Sequence, residues 1–352
     1  MSGVPESSAA RLPVPTAAPA VPPPAGDARV RLRAGLLSVT VGIALLAVKY
    51  GAWLATGSTA VLADALESIV NVVAALFALG SLLFAGRPAD RNHPYGHGKI
   101  EFFSAVFEGG LIAFAAALIC WSALLDLVRG AEVRAVELGL VLVIVAGLVN
   151  LALGAFLVRT GRQVHSLILE ADGQHVLSDF WTSAGVVVGL GLVRATGMAW
   201  IDPAVALVVG VNLAFTGARL VRTAAGGLLD EEDTALIRRL VAMMARERDA
   251  HVIDVHRLRA IRAGRLTHAD GHLIVPEYWT VEQAHHHTED FVRRVLAGSA
   301  LEGDVVLHTD PCRRAFCAAC LVPGCPVRRA TAEASMQITV ESATRTPQPD
   351  AI

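Results

Sequence analysis

Charged residues are scarce in this chain: Asp, Glu, Lys and Arg make up 18% of its 352 residues, against about 25% in an average soluble domain. Aromatic residues account for only 5%, and no basic patch with interleaved aromatics suggests nucleic-acid binding. The sequence also lacks a phosphate-binding loop, a cofactor fingerprint and a nucleophile paired with a base, which argues against an enzyme. The net charge of −2 says nothing about partners.

The first 28 residues lack the apolar run that a cleaved signal peptide needs. They are rich in Pro and Ala, as in PVPTAAPAVPPPAG, and residues 1–28 are predicted to form a disordered tail. A short chain without targeting signals is expected in a bacterial inner membrane.

Long apolar runs are what the chain has in excess, and its mean hydropathy is +0.52. Six runs reach the roughly 20 mostly apolar residues that span a bilayer. They lie at about 35–56, 58–85, 102–128, 137–158, 174–195 and 201–221. The sequence therefore predicts an all-α membrane domain, a six-helix transmembrane bundle over residues 29–228.

Lys and Arg residues near the span ends predict the orientation, because cytoplasmic loops carry the excess of them. The side that holds both termini has ten: Arg29, Arg31, Arg33, Arg87, Arg91, Lys99, Arg159, Arg162, Arg219 and Arg222. The opposite side has three: Arg129, Arg134 and Arg194. Both termini are therefore predicted to be cytoplasmic.

The region after the sixth span, residues 229–328, is predicted to be a small cytoplasmic α+β domain. A helical run, DEEDTALIRRLVAMMARER, precedes two strand-like runs, DVHRLRAIRAG and THADGHLIVPEY. A second helix, TVEQAHHHTEDFVRRVLAG, and a last strand, GDVVLHTD, complete an αββαβ order of ferredoxin-like type. Residues 329–352 are polar and predicted to be a disordered tail.

Two polar pairs interrupt the apolar spans: Glu67 with Asn71 in the second, and His175 with Asp179 in the fifth. Ionisable side chains at membrane depth are costly and mark functional sites. A spacing of four puts both members of each pair on one helix face, and two such faces would supply four N/O ligands to a divalent metal. Asn71 by itself fits helix–helix contact equally well.

Three further acids lie within the spans or at their ends. Asp64 and Asp172 precede Glu67 and His175 by three residues, so both helices share a pattern of polar residues. Glu108 lies about two turns into the third span. The sequence leaves two roles open for it, a second proton carrier or a residue at the cytoplasmic mouth.

The loop after the second span carries Asp90, His93 and His97, which could gather around one ion, with Pro94 and Gly96 setting a turn. The alternative is a cytoplasmic turn with two solvated histidines. The soluble domain is rich in histidine, and His308 and Asp310 share one strand face. A helical run of three histidines is usually a solvated face. The candidate ligands of this domain are His256, His272, His285, His286, His287, His308 and Asp310.

Four of the five cysteines fall within one short segment, HTDPCRRAFCAACLVPGCPVRR. They are Cys312, Cys317, Cys320 and Cys325. Because disulfides are disfavoured in the cytoplasm, this cluster is predicted to bind zinc or an iron–sulfur cluster. A redox-sensing thiol group is the main alternative. Cys120, alone in the third span, is interpreted as a small buried hydrophobe.

Together these motifs resemble the cation diffusion facilitator family over about residues 30–312. The resemblance is carried by TGSTAVLADALES with the following Asn in the second span, DRNHPYGHGKIE after it, ADGQHVLSD in the fifth, DP opening the sixth, and HTDPC near the end of the domain.

The resemblance implies a Y-shaped homodimer, in which each protomer exchanges a cytoplasmic divalent cation for protons by alternating access. It also implies that Lys99 pairs with Asp230 at the end of the sixth span. The implied ligands are Glu67, Asn71, His175 and Asp179 for transport, Asp90, His93 and His97 in the loop, and His256, His272, His285, His308 and Asp310 in the cytoplasmic dimer site.

Two features depart from that family. Zinc members usually carry His or Asp at the position of Glu67 and Asp at that of Asn71, where this chain has an amide that cannot release a proton. Zn²⁺ is the expected substrate because His and carboxylate ligands suit it, with Mn²⁺, Fe²⁺ or Cd²⁺ as alternatives. The second departure is the Cys cluster.

A rival function of another class is a membrane-anchored metal or redox sensor, which the Cys cluster and the histidines favour. The polar residues within the spans argue against it, because an anchor has no use for them.

Overall fold

The computed structural model describes residues 25–56, 59–129, 137–264, 266–299, 301–332 and 336–346. Among these residues, six helices are long and apolar enough to cross a membrane, as predicted. They are α1 (Ala25–Thr56), α2 (Thr59–Ala85), α3 (Ile100–Arg129), α4 (Glu137–Gln163), α5 (Leu167–Thr196) and α6 (Ile201–Leu228). Residues 25–28, placed in the disordered tail by the sequence, are already helical, and residues 1–24 lie outside the described part.

Helix α5 begins at Leu167, seven residues before its predicted start at 174. The hydropathy pattern did not include this segment because it contains Glu170 and Asp172. A contact with another helix stabilises the first turn of α5 instead. The Leu167 amide donates to Glu101 Oε2 of α3 at 3.2 Å. The guanidinium of Arg31 on α1 donates to the other oxygen of Glu101 at 3.4 Å, so one buried carboxylate joins three helices.

The outer surface of the bundle is apolar. Phe114, Trp121, Val208 and Phe215 are between 65% and 74% exposed. Lipid tails are the solvent in which such side chains are stable without further burial. The six helices therefore have the surface of an integral membrane protein.

Inside the bundle, helices approach each other through glycines. A Cβ at Gly173 of α5 would lie 2.8 Å from the backbone nitrogen of Val158 on α4. A Cβ at Gly109 of α3 would lie 3.1 Å from the carbonyl oxygen of Gly217 on α6. In lipid, van der Waals contact between small residues drives helix association. These contacts hold α3 and α5 in position beside their polar residues.

The C-terminal domain has the predicted αββαβ order. Its elements are α7 (Thr234–Glu247), β1 (Asp254–Ala263), β2 (Leu266–Val275), α8 (Val281–Ser299) and β3 (Gly303–Pro311). The sheet order is β1-β2-β3, antiparallel between β1 and β2 and parallel between β2 and β3. Leu240 and Met244 of α7 and Phe291 of α8 are fully buried in one core with the inner sheet residues.

The predicted disordered tail, residues 329–352, is wrong for residues 336–346. A short helix, α9 (Val340–Thr344), follows the domain, and Ala343 is fully buried. The Arg345 guanidinium lies 3.0 Å from the buried Asp254 carboxylate, and its carbonyl accepts the Arg257 amide. A local capping box between Thr339 and Ser342 starts the helix, but tertiary contacts hold the segment on the domain, which is why its polar composition gave no sign of order.

Candidate metal centres

Helices α2 and α5 bring the predicted polar faces together inside the bundle. The Asn71 side-chain amide donates to Asp179 Oδ2 at 2.5 Å. Its oxygen lies 3.2 Å from Nε2 of His175, a residue that is 6% exposed. Glu67 lies on α2 one turn before Asn71, but its side chain is outside the described part. Three of the four predicted ligands therefore form one connected group.

Glu108 reaches the same group from α3. Its side chain is fully buried, and Oε2 lies 3.9 Å from Nδ1 of His175. Neither carboxylate oxygen has a hydrogen-bond partner among the described residues. The sequence left two roles open for Glu108. A position inside the bundle favours that of a proton carrier over that of a residue at the cytoplasmic mouth. The only sequence signal was an acid in an apolar helix, which could not reveal its neighbour.

A small cavity adjoins the group. It measures about 30 Å³, and its polar lining consists of Ser68, Asn71 and Asp179 together with Ser38 and Lys49 of α1 and Asn150 of α4. A single water needs about 10–15 Å³ by this measure, so the space accommodates a dehydrated ion or two waters. Val176 also lines this cavity, and Asp172, one helical turn before it on α5, is 1% exposed. The side chain of Asp64 lies outside the described part.

The loop between α2 and α3 gathers its three predicted ligands. Asp90, His93 and His97 offer atoms that all lie within 4.8 Å of one another. Asp90 Oδ1 is 3.2 Å from Nδ1 of His93, and Oδ2 is 3.4 Å from Nε2 of His97. The backbone amide of His93 holds the pKa of Asp90 below its ordinary value. Because His97 is buried against Phe84, the description of two solvated histidines fits His93 alone.

The predicted metal site of the C-terminal domain is built by strand register. His256 pairs with His272 across β1 and β2, and His272 pairs with His308 across β2 and β3, so one row crosses the sheet. His256, His272 and Asp310 offer atoms within 4.8 Å of one another. Asp310 Oδ2 accepts from Nδ1 of His272 at 2.8 Å. His308 Nε2 lies 3.5 Å from the other oxygen of Asp310.

His285 does not join this group within one chain. It lies on α8 with a side chain 62% exposed, and its Nε2 is 3.6 Å from Glu289 one turn later. The αββαβ order places α8 against the opposite, inner side of the sheet, a separation that histidine content could not indicate.

Comparison with known proteins matches both parts of the chain. A model of the cation efflux transmembrane domain matches residues 35–229, and one of the cation efflux protein cytoplasmic domain matches residues 229–312. An uncharacterized transporter of Synechocystis is 36% identical over 81% of this chain and 91% of the relative. The cation-efflux pump FieF of Shewanella oneidensis is 30% identical over 78% of this chain and 92% of the relative.

The chain belongs to the cation efflux, or cation diffusion facilitator, family. This cation efflux protein is accordingly a multi-pass membrane transporter rather than an enzyme. The resemblance seen in its motifs is confirmed, as is the architecture of six helices followed by a small α+β domain.

The transporter's two domains meet at the loop site. Lys99 Nζ lies 2.8 Å from Asp230 Oδ1, as the resemblance implied. A Cβ at Gly98 would lie 2.0 Å from the carbonyl oxygen of Ala263, the last residue of β1, so only glycine fits this contact. Gly98 and Lys99 directly follow His97 in the chain. The predicted loop ligands are therefore positioned by the C-terminal domain as well as by α2 and α3.

Acidification is expected to destabilise the metal-free cytoplasmic domain through His256. Burial disfavours its imidazolium and lowers its pKa, with partial compensation from Asp254, whereas an unfolded histidine has a pKa of about 6.5. The unfolded state therefore binds more protons as the pH falls through this value, and stability is lost. Hydrogen exchange of β1 amides, corrected for intrinsic rates, should show less protection below that pH. A His256→Gln transporter that keeps the full pH dependence would contradict this assignment.

A third group of candidate ligands was missed by sequence reasoning. Asp249, His251 and His287 offer atoms within 4.8 Å of one another at the junction of α7, β1 and α8. Asp249 also lies 3.2 Å from the guanidinium of Arg294. The charge of Arg294 opposes a cation there, so this group is better described as an ion-pair network.

The four clustered cysteines follow β3 and line one cavity of about 320 Å³. Cys312 and Cys320 are 9% and 6% exposed, and all four thiols are free of disulfides. Burial raises the pKa of the Cys312 thiol. Cys120, the fifth cysteine, faces Gly210 of α6, where an added Cβ would lie 2.7 Å from its sulfur.

Proposed function

We propose that this transporter exports a divalent metal ion from the cytoplasm, with Zn²⁺ as the first candidate, and that protons move in the opposite direction. The observation that carries the proposal is the buried carboxylate of Glu108 beside His175, joined through Asn71 to Asp179. Carboxylates at membrane depth are stable only when they are protonated or paired with a cation. A site that alternates between protons and a metal ion satisfies both conditions.

The charges of the site suit one divalent ion. Glu108 and Asp179 supply two negative charges when ionised, and neutral His175 adds a nitrogen ligand. Asn71 contributes an amide oxygen without charge. Glu67 on α2 is a further proposed ligand, and with it the charges balance when one of the three carboxyl groups keeps its proton. Glu108 thus restores the carboxylate that the amide at Asn71 removes from the site on α2.

The two contacts of the His175 ring suggest how protons leave. An acceptor lies near each ring nitrogen of His175: the Asn71 oxygen near Nε2 and the Glu108 carboxylate near Nδ1. This arrangement suits a protonated imidazole. A metal ion and protons compete for the same lone pairs, so binding from the cytoplasm releases protons from His175 and Glu108. Protons that return from the outer side then displace the metal.

A second candidate substrate is Mn²⁺ or Fe²⁺, favoured by the oxygen-rich donor set of two or three carboxylates, one amide and one imidazole. Harder oxygen donors shift preference away from Zn²⁺. Replacing Asn71 by Asp is expected to change the order of preference among these ions rather than abolish transport. Competition between Zn²⁺ and Mn²⁺ uptake into proteoliposomes measures this order, and an unchanged order would show that Asn71 serves only helix contact.

The loop site and the cytoplasmic site are proposed to regulate transport in a homodimer, in an inner membrane with both termini cytoplasmic. Metal at His256, His272, His308 and Asp310 would draw two cytoplasmic domains together, with His285 supplied from another surface. Such a shift needs different affinities for two arrangements of the dimer. Equal X-ray scattering profiles of the full protein with and without metal would argue against it.

The experiment that tests the transport proposal uses purified protein in vesicles with a metal-sensitive dye and a pH-sensitive dye inside. An imposed proton gradient should drive metal flux, and metal flux should move protons the other way. Protein that binds metal but moves none would favour the membrane-anchored sensor instead.

A further inference from the structure

The segment after β3 is held on the domain by hydrogen bonds to its backbone. The Cys312 amide donates to the Val275 carbonyl at 2.8 Å and continues the sheet. The Arg328 guanidinium donates to the carbonyls of Cys320 at 3.0 Å and Val322 at 2.8 Å. A 3₁₀ turn, Arg314–Ala319, lies between these anchors. The backbone that carries the sulfur atoms is therefore fixed on the domain core.

The four cysteines share this cavity without being gathered as tightly as the ligands of a single ion. Among the described residues, the groups of three or more ligand atoms within 4.8 Å consist of His and Asp, and no three cysteines form one. A single zinc ion with Zn–S bonds of about 2.3 Å sets its sulfurs about 3.8 Å apart. An iron–sulfur cluster holds its thiolates on different iron atoms around an inorganic core, which needs a wider ring.

The order of the cysteines agrees with this wider ring. Cys312-x₄-Cys317-x₂-Cys320 has the spacing of the first three ligands in plant-type [2Fe–2S] ferredoxins, and Cys325 supplies a fourth thiolate. A cluster with four thiolates is an anion. Four guanidinium groups and one carboxylate, that of Glu277, line the cavity, and the positive groups belong to Arg313, Arg314, Arg328 and Arg329.

We propose that Cys312, Cys317, Cys320 and Cys325 bind an iron–sulfur cluster. The site is separate from the transport group and does not depend on the proposed function. It is connected to the cytoplasmic metal site, because Cys312 follows Asp310 by two residues on the same extended strand. Loss of the cluster is expected to loosen this strand, and with it the position of the Asp310 carboxylate.

The test is to purify the full-length protein in detergent under anaerobic conditions and to measure iron, acid-labile sulfide and zinc per chain. Equal amounts of iron and sulfide are expected, with visible absorption that dithionite bleaches. Protein isolated without iron is incubated anaerobically with Fe²⁺, sulfide and a thiol before the same measurement. Zinc without sulfide, or no iron after this incubation, overturns the proposal.

Matched variants separate the site from general effects on folding. Cys317→Ser and Cys320→Ser should lose most of the iron and sulfide. Cys120→Ser makes the same change within the membrane domain and should retain both. Arg328→Ala leaves every thiol in place but removes the anchor of the loop, so its cluster should be lost faster in air. Equal iron in all four variants would overturn the assignment.

Discussion

Replacing Asp179 by Asn is expected to reduce metal flux by roughly a hundredfold or more while the protein remains folded. The change removes one charged ligand but keeps the shape of the side chain beside Asn71. The half-buried Asp179 carboxylate would form a charge pair with the bound ion. Removing one partner of a fully buried pair costs about 3–5 kcal/mol, and about 1.4 kcal/mol corresponds to a factor of ten. Initial rates of metal uptake in proteoliposomes, normalised to the amount of inserted protein, measure the effect.

The matched control is Asp270→Asn. Asp270 forms an exposed pair with Arg259 on the cytoplasmic sheet, and such pairs contribute little. This variant should transport metal at the parent rate and elute at the parent volume in gel filtration. Robust flux by the Asp179→Asn protein would refute the placement of the transport site on α2 and α5.

Replacing Glu108 by Gln should have an effect of the same size. A neutral amide is close to isosteric with the carboxylate, but it can neither balance the charge of the ion nor carry a proton to the outer side. The fully buried position beside His175 leaves water no means of compensating for the lost charge. Metal flux and proton flux, recorded with two dyes in the same vesicles, should both fall.

A second substitution distinguishes charge from local packing. If Glu108 supplies the carboxylate that Asn71 lacks, then adding Asn71→Asp to Glu108→Gln moves one charge from α3 to α2 and should restore a large part of the flux. The control is Glu170→Gln on α5, where the acid is partly exposed and lies 3.6 Å from Arg162. Parent-like flux in Glu108→Gln would remove this residue from the site. An inactive double variant would show that its position, not only its charge, is required.

Much of the architecture could be predicted from local sequence. Apolar runs of bilayer length predicted six helices, since lipid requires each segment to satisfy its own backbone hydrogen bonds. The alternation of helix and strand patterns predicted the αββαβ domain. The start of α5 and the ordered segment at Ala343 were not predictable in this way. Both depend on contacts with distant residues, Glu101 in one case and Asp254 in the other.

The candidate sites also differ in whether local sequence or tertiary contacts bring their residues together. Asp90, His93 and His97 lie in one loop, so their proximity followed from the chain itself. His256, His272 and Asp310 required a strand register that histidine content does not specify. His285, which the family resemblance placed with them, lies apart from this group within one chain, and its part in a dimer site stays a prediction.

The sequence by itself determined that costly polar side chains lie on single faces of α2 and α5, because a helix repeats every 3.6 residues. Only the tertiary structure decided which other helix faces them. Gly109 lets α3 pack closely on α6, and this contact leaves the adjacent Glu108 beside His175 rather than in lipid. Helix periodicity fixes the direction of a side chain within its own helix, whereas packing across the bundle fixes its partners.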